Sequence, residues 1–211
     1  MGPVYQFRQR RERAIAYGRA VKHPTAQHPT AQHPTVRDPA VTDSTAQHSH
    51  CSSCGAAHPA GAGWPRTCPG CGRTAYRNPL PVAVALLPVT DADGTGLVVI
   101  TRTIEPRRGG IALPGGFIDH GEDWRAAVAR ELREETGIEA AAEEVRLADA
   151  MSSPAGHLLL FGLLPARPAS ALPASAPTDE TSGHHLLRAP GELAFPLHTE
   201  AVRKWFAGEY G

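Results

Sequence analysis

Apolar residues change their pattern more than once along this chain. The run PVAVALL (81–87) and, after a DADGTG turn, GLVVITR are aliphatic and β-branched stretches bounded by turn formers, which predicts two strands. A glycine-rich loop then leads into Phe117–Ile118, and the period lengthens. Trp124, Val128 and Leu132 recur every four positions, predicting a helix over about Asp123–Thr136 with a single apolar stripe. Gly137 stands just past its end, where a left-handed stop is expected. VRLADAM and HLLLFGLL read as further strands, and the amphipathic TEAVRKWFAGEY as a closing helix. PARPASALPASAPT (165–178) is a Pro/Ala/Ser loop, long for a compact domain and expected to be mobile. Strands mixed with two main helices predict α/β layers, not a regular βαβ array.

Upstream of residue 50 no such pattern exists. Residues 23–47 read HPTAQ HPTAQ HPTVR DPAVT DSTAQ, a decaying repeat too short for a solenoid unit and too polar to bury a core. Proline after His23, His28 and His33 favours extended, solvated backbone, so a disordered linker is expected in place of a metal-binding tract. The expected organisation is a basic and HPTAQ-repeat region (1–49), a cysteine-rich unit (50–78) and a main domain (79–211) with its mobile loop at 165–180.

Composition narrows the classes. The chain has 211 residues, 41% of them apolar, with 21 basic and 21 acidic side chains, enough for one ordinary domain plus appendages. Balanced charge gives no electrostatic reason for a nucleic-acid or membrane-surface partner. The longest apolar runs, 80–88 and 158–165, fall far below the roughly 20 residues that cross a bilayer. The basic QFRQRRERAIAYGRAVK has no apolar core behind it, so a secretory signal is not expected and a cytoplasmic protein is.

All four cysteines share one pattern: Cys51-x-x-Cys54, thirteen residues, then Cys68-x-x-Cys71. Each pair is followed by glycine (CSSCG, CPGCG), which lets the backbone turn so that amides approach the sulfurs. Four soft thiolates in two short knuckles predict a closed tetrahedral zinc site that organises a segment too small to fold on its own core. Two disulfides or a redox dithiol are the competing readings, and neither has secretory or thioredoxin-like context here. His50 and His58 lie nearby, but the cysteines already fill the shell.

RELREETGI (130–138) raises a different question. Glu131, Glu134 and Glu135 crowd one stretch of helix, where like charges destabilise by a few tenths of a kcal/mol per pair. At 100° per residue, Glu131 and Glu135 project roughly 20° from Trp124 and Glu134 roughly 80° away. A solvated charge face would lie opposite the apolar stripe. These carboxylates flank it, and carboxylates beside a core need partners. Arg130 can pair with Glu134 but cannot neutralise all three. A hard divalent cation, Mg²⁺ or Mn²⁺, can. In the preceding LPGGFIDHGED, Gly115 and Gly116 permit close backbone approach to a metal or phosphate.

As one unit the spacing is Gly116-x5-Glu122-x7-Arg130-Glu131-Leu132-x-Glu134-Glu135-x-Gly137-Ile138, which resembles the Nudix box at every defined position across 23 residues. The four-cysteine segment followed by AYRNPLPVAV and RTIEPRRGGIALPGGF is similar to Nudix hydrolases with an N-terminal zinc ribbon, from about Cys51 to Gly211. That resemblance implies a Nudix α/β/α sandwich with a mixed sheet behind a small zinc ribbon. It implies Mg²⁺- or Mn²⁺-dependent hydrolysis of a nucleoside diphosphate linked to another moiety. It also implies roles: Glu131, Glu134, Glu135 and the Gly116 carbonyl as metal ligands, Glu122 and Arg130 as an orienting ion pair, Leu132 and Ile138 as core. Elsewhere in the family the general base can come from a later loop, and Glu180 in TDETSGHH is the candidate beside Glu134 and Glu135.

On substrate, the region comparable to the SQPWPFPxS-like segment of NADH pyrophosphatases reads MSSPAGHLLLFG, without the tryptophan. ADP-ribose, FAD or a related dinucleotide is therefore the expected class, with NADH as the alternative. The aromatic often found just before LPGG is Ile111–Ala112 here, so a stacking partner is expected from Trp124 or Phe117. Arg102, Arg107 and Arg108 are candidates for phosphate contact or for plain surface charge, and His120 is expected to face solvent. A non-catalytic nucleotide-sensing module is a rival from another class, but every box glutamate is present, and Arg66, Arg73, Arg77, Trp64 and Tyr76 are thin for a nucleic-acid platform. Diphosphate isomerisation lacks a spare cysteine. Relatives with this ribbon are often dimers, which makes a homodimer the expectation by analogy.

Overall fold

A computed structural model describes residues 48–210. The basic segment and the whole HPTAQ repeat (23–47) lie outside them. The described chain opens with a two-stranded antiparallel hairpin, β1 (Arg66–Thr67) and β2 (Thr74–Ala75), inside the cysteine-rich segment.

Two sheets follow. In chain order the strands are β3 (Leu80–Leu86), β4 (Pro88–Asp91), β5 (Gly94–Arg102), β6 (Ile111–Ala112) and β7 (Gly115–Phe117), then β8 (Arg146–Ser152), β9 (His157–Leu163), β10 (Arg167–Pro168) and β11 (Thr181–Leu187). One sheet has the order β7-β3-β9-β8 and is mixed, because β3 runs parallel to β9 and antiparallel to β7. The other runs β10-β4-β5-β11, with β6 also paired to β5. Helix α1 is Trp124–Thr136 and helix α2 is Pro196–Phe206.

Alternation along the strands explains the layering. In β3, Ala83 and Ala85 pack with Ala127, Val128 and Leu132 of α1, while Val84 and Leu86 join the cluster containing Ala201 and Val202 of α2. In β5, Val98 belongs to the first cluster, and Leu97 and Val99 to the second. Strands covered on both faces carry continuous apolar runs, which is why PVAVALL and GLVVITR show no polar alternation. The result is the expected α/β/α sandwich.

Local signals set the ends of α1. The Asp123 carboxylate accepts the Arg125 N–H at 2.9 Å, and Gly137, with φ 73°, donates its N–H to the Arg133 carbonyl at 2.7 Å. Strand β4 continues the apolar run of β3 beyond the expected single strand, and β11 was not expected as a strand at all. Its TSGHHLL has no apolar alternation, and its pairing with β5 across a bulge between Thr181 and His184 supplies what its composition lacks. The 165–178 stretch contains β10 and a 3₁₀ turn (Ala169–Ala171), with Leu172 packed against the α1 side of the core.

Candidate functional site

The glycine loop and α1 meet because β7 pairs with β3 on the sheet that α1 covers. Gly116 lies where a Cβ would stand 2.6–2.7 Å from the Glu131 carboxylate atoms, so only glycine allows this approach. The Gly115 N–H donates to Glu135 Oε2 at 2.8 Å.

Arg130 is the hub. Its Nε and Nη2 grip Glu122 Oε1 and Oε2 at 2.8 and 2.9 Å, a two-pronged pair. Nη1 donates to Glu131 Oε1 at 2.6 Å and Glu134 Oε2 at 3.1 Å, and Nη2 also reaches the Phe117 carbonyl at 3.0 Å. Glu122 in addition accepts the Asp119 N–H at 3.0 Å, which closes the loop onto the helix. The Arg130 guanidinium holds the Glu122 carboxyl below its usual range.

The glutamates differ in setting. Glu135 is 4% exposed, whereas the Glu131 and Glu134 side chains are 12% and 50% exposed. Burial pushes the Glu135 carboxyl up to about 8 against the stabilising Gly115 N–H, with repulsion from Glu131 and Glu180 adding to the rise. Burial also raises Glu131, opposed by Arg130. Burial and mutual repulsion outweigh Arg130, Arg102 and the Gly115 N–H at these two carboxylates, an imbalance that a bound cation would relieve.

Glu131, Glu134 and Glu135 line one cleft of about 610 Å³ with Gly115, Gly116, Phe117 and Arg130. Its other wall is Thr178, Asp179 and Glu180, so the structure brings Glu180 to the box glutamates from 45 residues downstream of Glu135. Phe117 is 55% exposed at the cleft, with its ring centroid 5.9 Å from that of His157. Trp124 instead packs against the core, with the Arg125 guanidinium 4.9 Å above its ring, and is not among the residues lining the cleft. Arg102 is engaged by the Pro106 carbonyl at 3.0 Å and the Phe195 ring, and its charge also acts on Glu135; Arg107, Arg108 and His120 are exposed and are not among the residues lining the cleft. Sequence reasoning did not single out Thr178, Asp179 or Thr181. A hydroxyl in a Pro/Ala/Ser loop carries no local signal.

The four cysteines converge separately. Their sulfurs all lie within 4.8 Å of one another, with Cys51–Cys71 at 3.8 Å and Cys54–Cys68 at 3.5 Å, and none is in a disulfide. A tetrahedron of sulfurs about 2.3 Å from zinc has edges of about 3.8 Å, so the set fits that ion. Gly55 and Gly72 take φ of 73° and 70° and donate to the Cys51 and Cys68 carbonyls at 2.9 Å each, giving two matching knuckles. The N–H groups of Ser53 and Cys54 lower the Cys51 thiol to about 6, while the crowded neighbouring sulfurs push the Cys54 thiol up to about 12, so without a cation the four sulfurs do not all carry negative charge together.

Comparison with known proteins agrees with this geometry. Residues 79–207 match the family model described as NUDIX domain. The chain belongs to the NUDIX family.

Among curated Nudix relatives, a protein of Methanocaldococcus jannaschii named ADP-ribose pyrophosphatase is 43% identical over 63 residues, 30% of this chain and 37% of that protein. A Salmonella heidelberg protein named NAD-capped RNA hydrolase NudC is 30% identical over 92 residues, 43% of this chain and 34% of its own length. The matched segments thus span little more than a third of these relatives. The fold resembles the NUDIX hydrolase from Nitrosomonas europaea, with TM-score 0.59 and 23% identity over 76% of this chain and 92% of that one. It also resembles the NUDIX domain of Shewanella oneidensis NrtR complexed with ADP ribose, with TM-score 0.53 and 18% identity over 64% and 90%.

Proposed function

We propose that this Nudix protein is a divalent-metal-dependent pyrophosphohydrolase that cleaves the diphosphate of a nucleoside diphosphate linked to another moiety, with ADP-ribose, FAD or a related dinucleotide as the class. The observation that carries this reading is the single cleft lined by Glu131, Glu134, Glu135 and Glu180, with Arg130 as the cation bonded to Glu131 and Glu134. An all-oxygen, charge-rich donor set beside a glycine backbone suits Mg²⁺ or Mn²⁺, which Glu131, Glu134, Glu135 and the Gly116 carbonyl would hold. When bound, the metal neutralises diphosphate charge and acidifies water.

The chain's own residues do the rest. Arg130 fixes Glu122 and keeps the glycine loop closed on α1. Glu180 takes the proton from the attacking water, whose oxygen bonds to one phosphorus as the bridging P–O bond breaks and the second phosphate leaves. With ADP-ribose the products are AMP and ribose 5-phosphate. Phe117 offers an exposed ring face to a base or nicotinamide. The name of the M. jannaschii relative supports ADP-ribose, and the NudC names place NAD-type diphosphates in the tested set. The cysteine cluster is a structural zinc site in this reading.

The test is product release with Mg²⁺ or Mn²⁺ from ADP-ribose, FAD, NADH, an NAD-capped RNA, nucleotide sugars and nucleoside triphosphates, with Glu134→Gln and Glu135→Gln as controls. Full turnover in both variants overturns the metal assignment. No hydrolysis of any compound leaves a nucleotide-binding module instead.

A further inference from the structure

The cleft wall facing α1 is a short arch, Thr178–Thr181, held by hydroxyl groups. Thr178 Oγ1 accepts the N–H groups of Glu180 and Thr181 at 3.3 and 3.2 Å, and the Thr178 N–H donates to the Thr181 carbonyl at 2.9 Å. The Thr103 N–H, at the end of β5, binds the Glu180 carbonyl at 2.8 Å. Behind the arch, Ser175 Oγ accepts the His184 N–H at 2.8 Å across the bulge in β11.

Thr181 joins this arch to the helix. It is 0% exposed, and its hydroxyl donates to the Glu135 carbonyl at 3.0 Å. Its oxygen accepts the Gly183 N–H at 3.3 Å and lies 3.2 Å from Thr178 Oγ1. With Thr178 as donor in that pair, both hydroxyls use their one proton and both lone pairs, so the network has one consistent direction. The Glu135 carbonyl is one of the last four in α1 and has no helical partner of its own. The pin therefore lands on the backbone of a residue whose carboxylate faces the cleft.

We infer that Thr181 is a positioning residue: by tying the Thr178–Thr181 arch to the Glu135 carbonyl, it sets where the Glu180 carboxylate stands relative to the box glutamates. The inference rests on the hydrolase reading above and on the part Glu180 plays in it. A buried apolar side chain of similar shape would fill the space but leave the Glu135 carbonyl and the Thr178 hydroxyl without their partner.

The test compares Thr181→Val, Thr181→Ser and Thr178→Val, by turnover and by amide hydrogen exchange, at a temperature where each is folded by circular dichroism. In Thr181→Val, kcat is expected to fall ~10²-fold with KM little changed, the scale of misplacing a reacting group by about an ångström. The Thr103 amide, bonded to Glu180, is expected to exchange at least ~10-fold faster. Thr181→Ser keeps the hydroxyl and recovers most of both losses. Thr178→Val loosens the arch from its other side and reproduces them, which keeps the test decisive if Thr181→Val fails to fold. In a Glu180→Gln background, Thr181→Val is expected to cost nothing further. Unchanged kcat and protection in Thr181→Val overturns the inference, as does a full additional loss on top of Glu180→Gln, which would place its effect elsewhere. If the wild-type chain hydrolyses nothing, the functional reading fails while the exchange data still decide whether Thr181 holds the arch.

Discussion

The cysteine cluster and the glutamate cleft both gather several ligand-type side chains, yet they are built in opposite ways. In the ribbon the sulfurs meet within 4.8 Å of one another, and Cys51 and Cys68 are the only buried residues between 48 and 79. No apolar core stands behind them, so under the proposed zinc reading the ion supplies the cohesion. In the cleft, Arg130 sits between Glu131 and Glu134 while Glu135 turns to the Gly115 N–H. Those glutamates ride on a helix whose Ala127, Val128 and Leu132 are fully buried. A core and an internal guanidinium hold the cleft in shape without any metal. In the proposed reading, one site would take its shape from its ion, and the other is a scaffold that would receive one.

Metal removal tests that contrast most severely. Zinc chelation under reducing conditions is expected to unfold the 48–79 segment, because structural zinc contributes on the order of 10 kcal/mol to comparable small sites. Residues 80–210 should keep their sheet structure, and hydrogen exchange mapped by segment distinguishes the two. Simultaneous loss of protection in β3 and β9 would show that the ribbon is not a separate unit.

Glu135 provides the next largest effect. Its carboxyl titrates at about 8 in the fold against an ordinary 4.5, so the unfolded chain releases its proton first. Without divalent cation, stability should fall as pH rises from about 4.5 to about 8, by up to ~5 kcal/mol, and the contribution vanishes below that window. Glu135→Gln is expected to remove this slope, melting higher than the parent chain at pH 8 in buffer without added Mg²⁺ or Mn²⁺. The same substitution should lower kcat at least ~10²-fold, since even an outer partner of a metal ligand is worth 10–100-fold. Denaturation curves across pH, paired with turnover, read both changes.

Gly116→Ala probes the scaffold from the loop side. The added Cβ would meet the Glu131 carboxylate, which must swing away. Turnover should drop ~10²-fold or less for this displacement, with the melting temperature moving little because Glu131 has open cleft beside it. Phe117→Ala should act most mildly. It is expected to raise KM ~5–10-fold by loss of one stacking face, leaving kcat and thermal stability near the parent values. An unchanged KM would assign the ring no contact with substrate.

The residues of both sites were legible in the linear chain, because their spacing is a local matter. The four-residue period of Trp124, Val128 and Leu132, the Asp123 cap and the Gly137 stop place three glutamates on one helix, and the paired Cys-x-x-Cys units with their glycines describe two knuckles. Each depends on neighbours a few positions away. Other features depended on segments far apart. β11 is a strand only because β5 offers it an edge, and Glu180 reaches the cleft only because Thr103 and Glu135, 77 and 45 positions earlier, bind the arch that carries it. The helical wheel put Glu131 and Glu135 symmetrically beside the stripe, but packing of β7 and β11 against α1 buried Glu135 and left Glu134 half exposed. Local periodicity and covalent spacing specify which side chains a helix or knuckle presents. Burial, and therefore charge state, depends on what the rest of the chain lays over them.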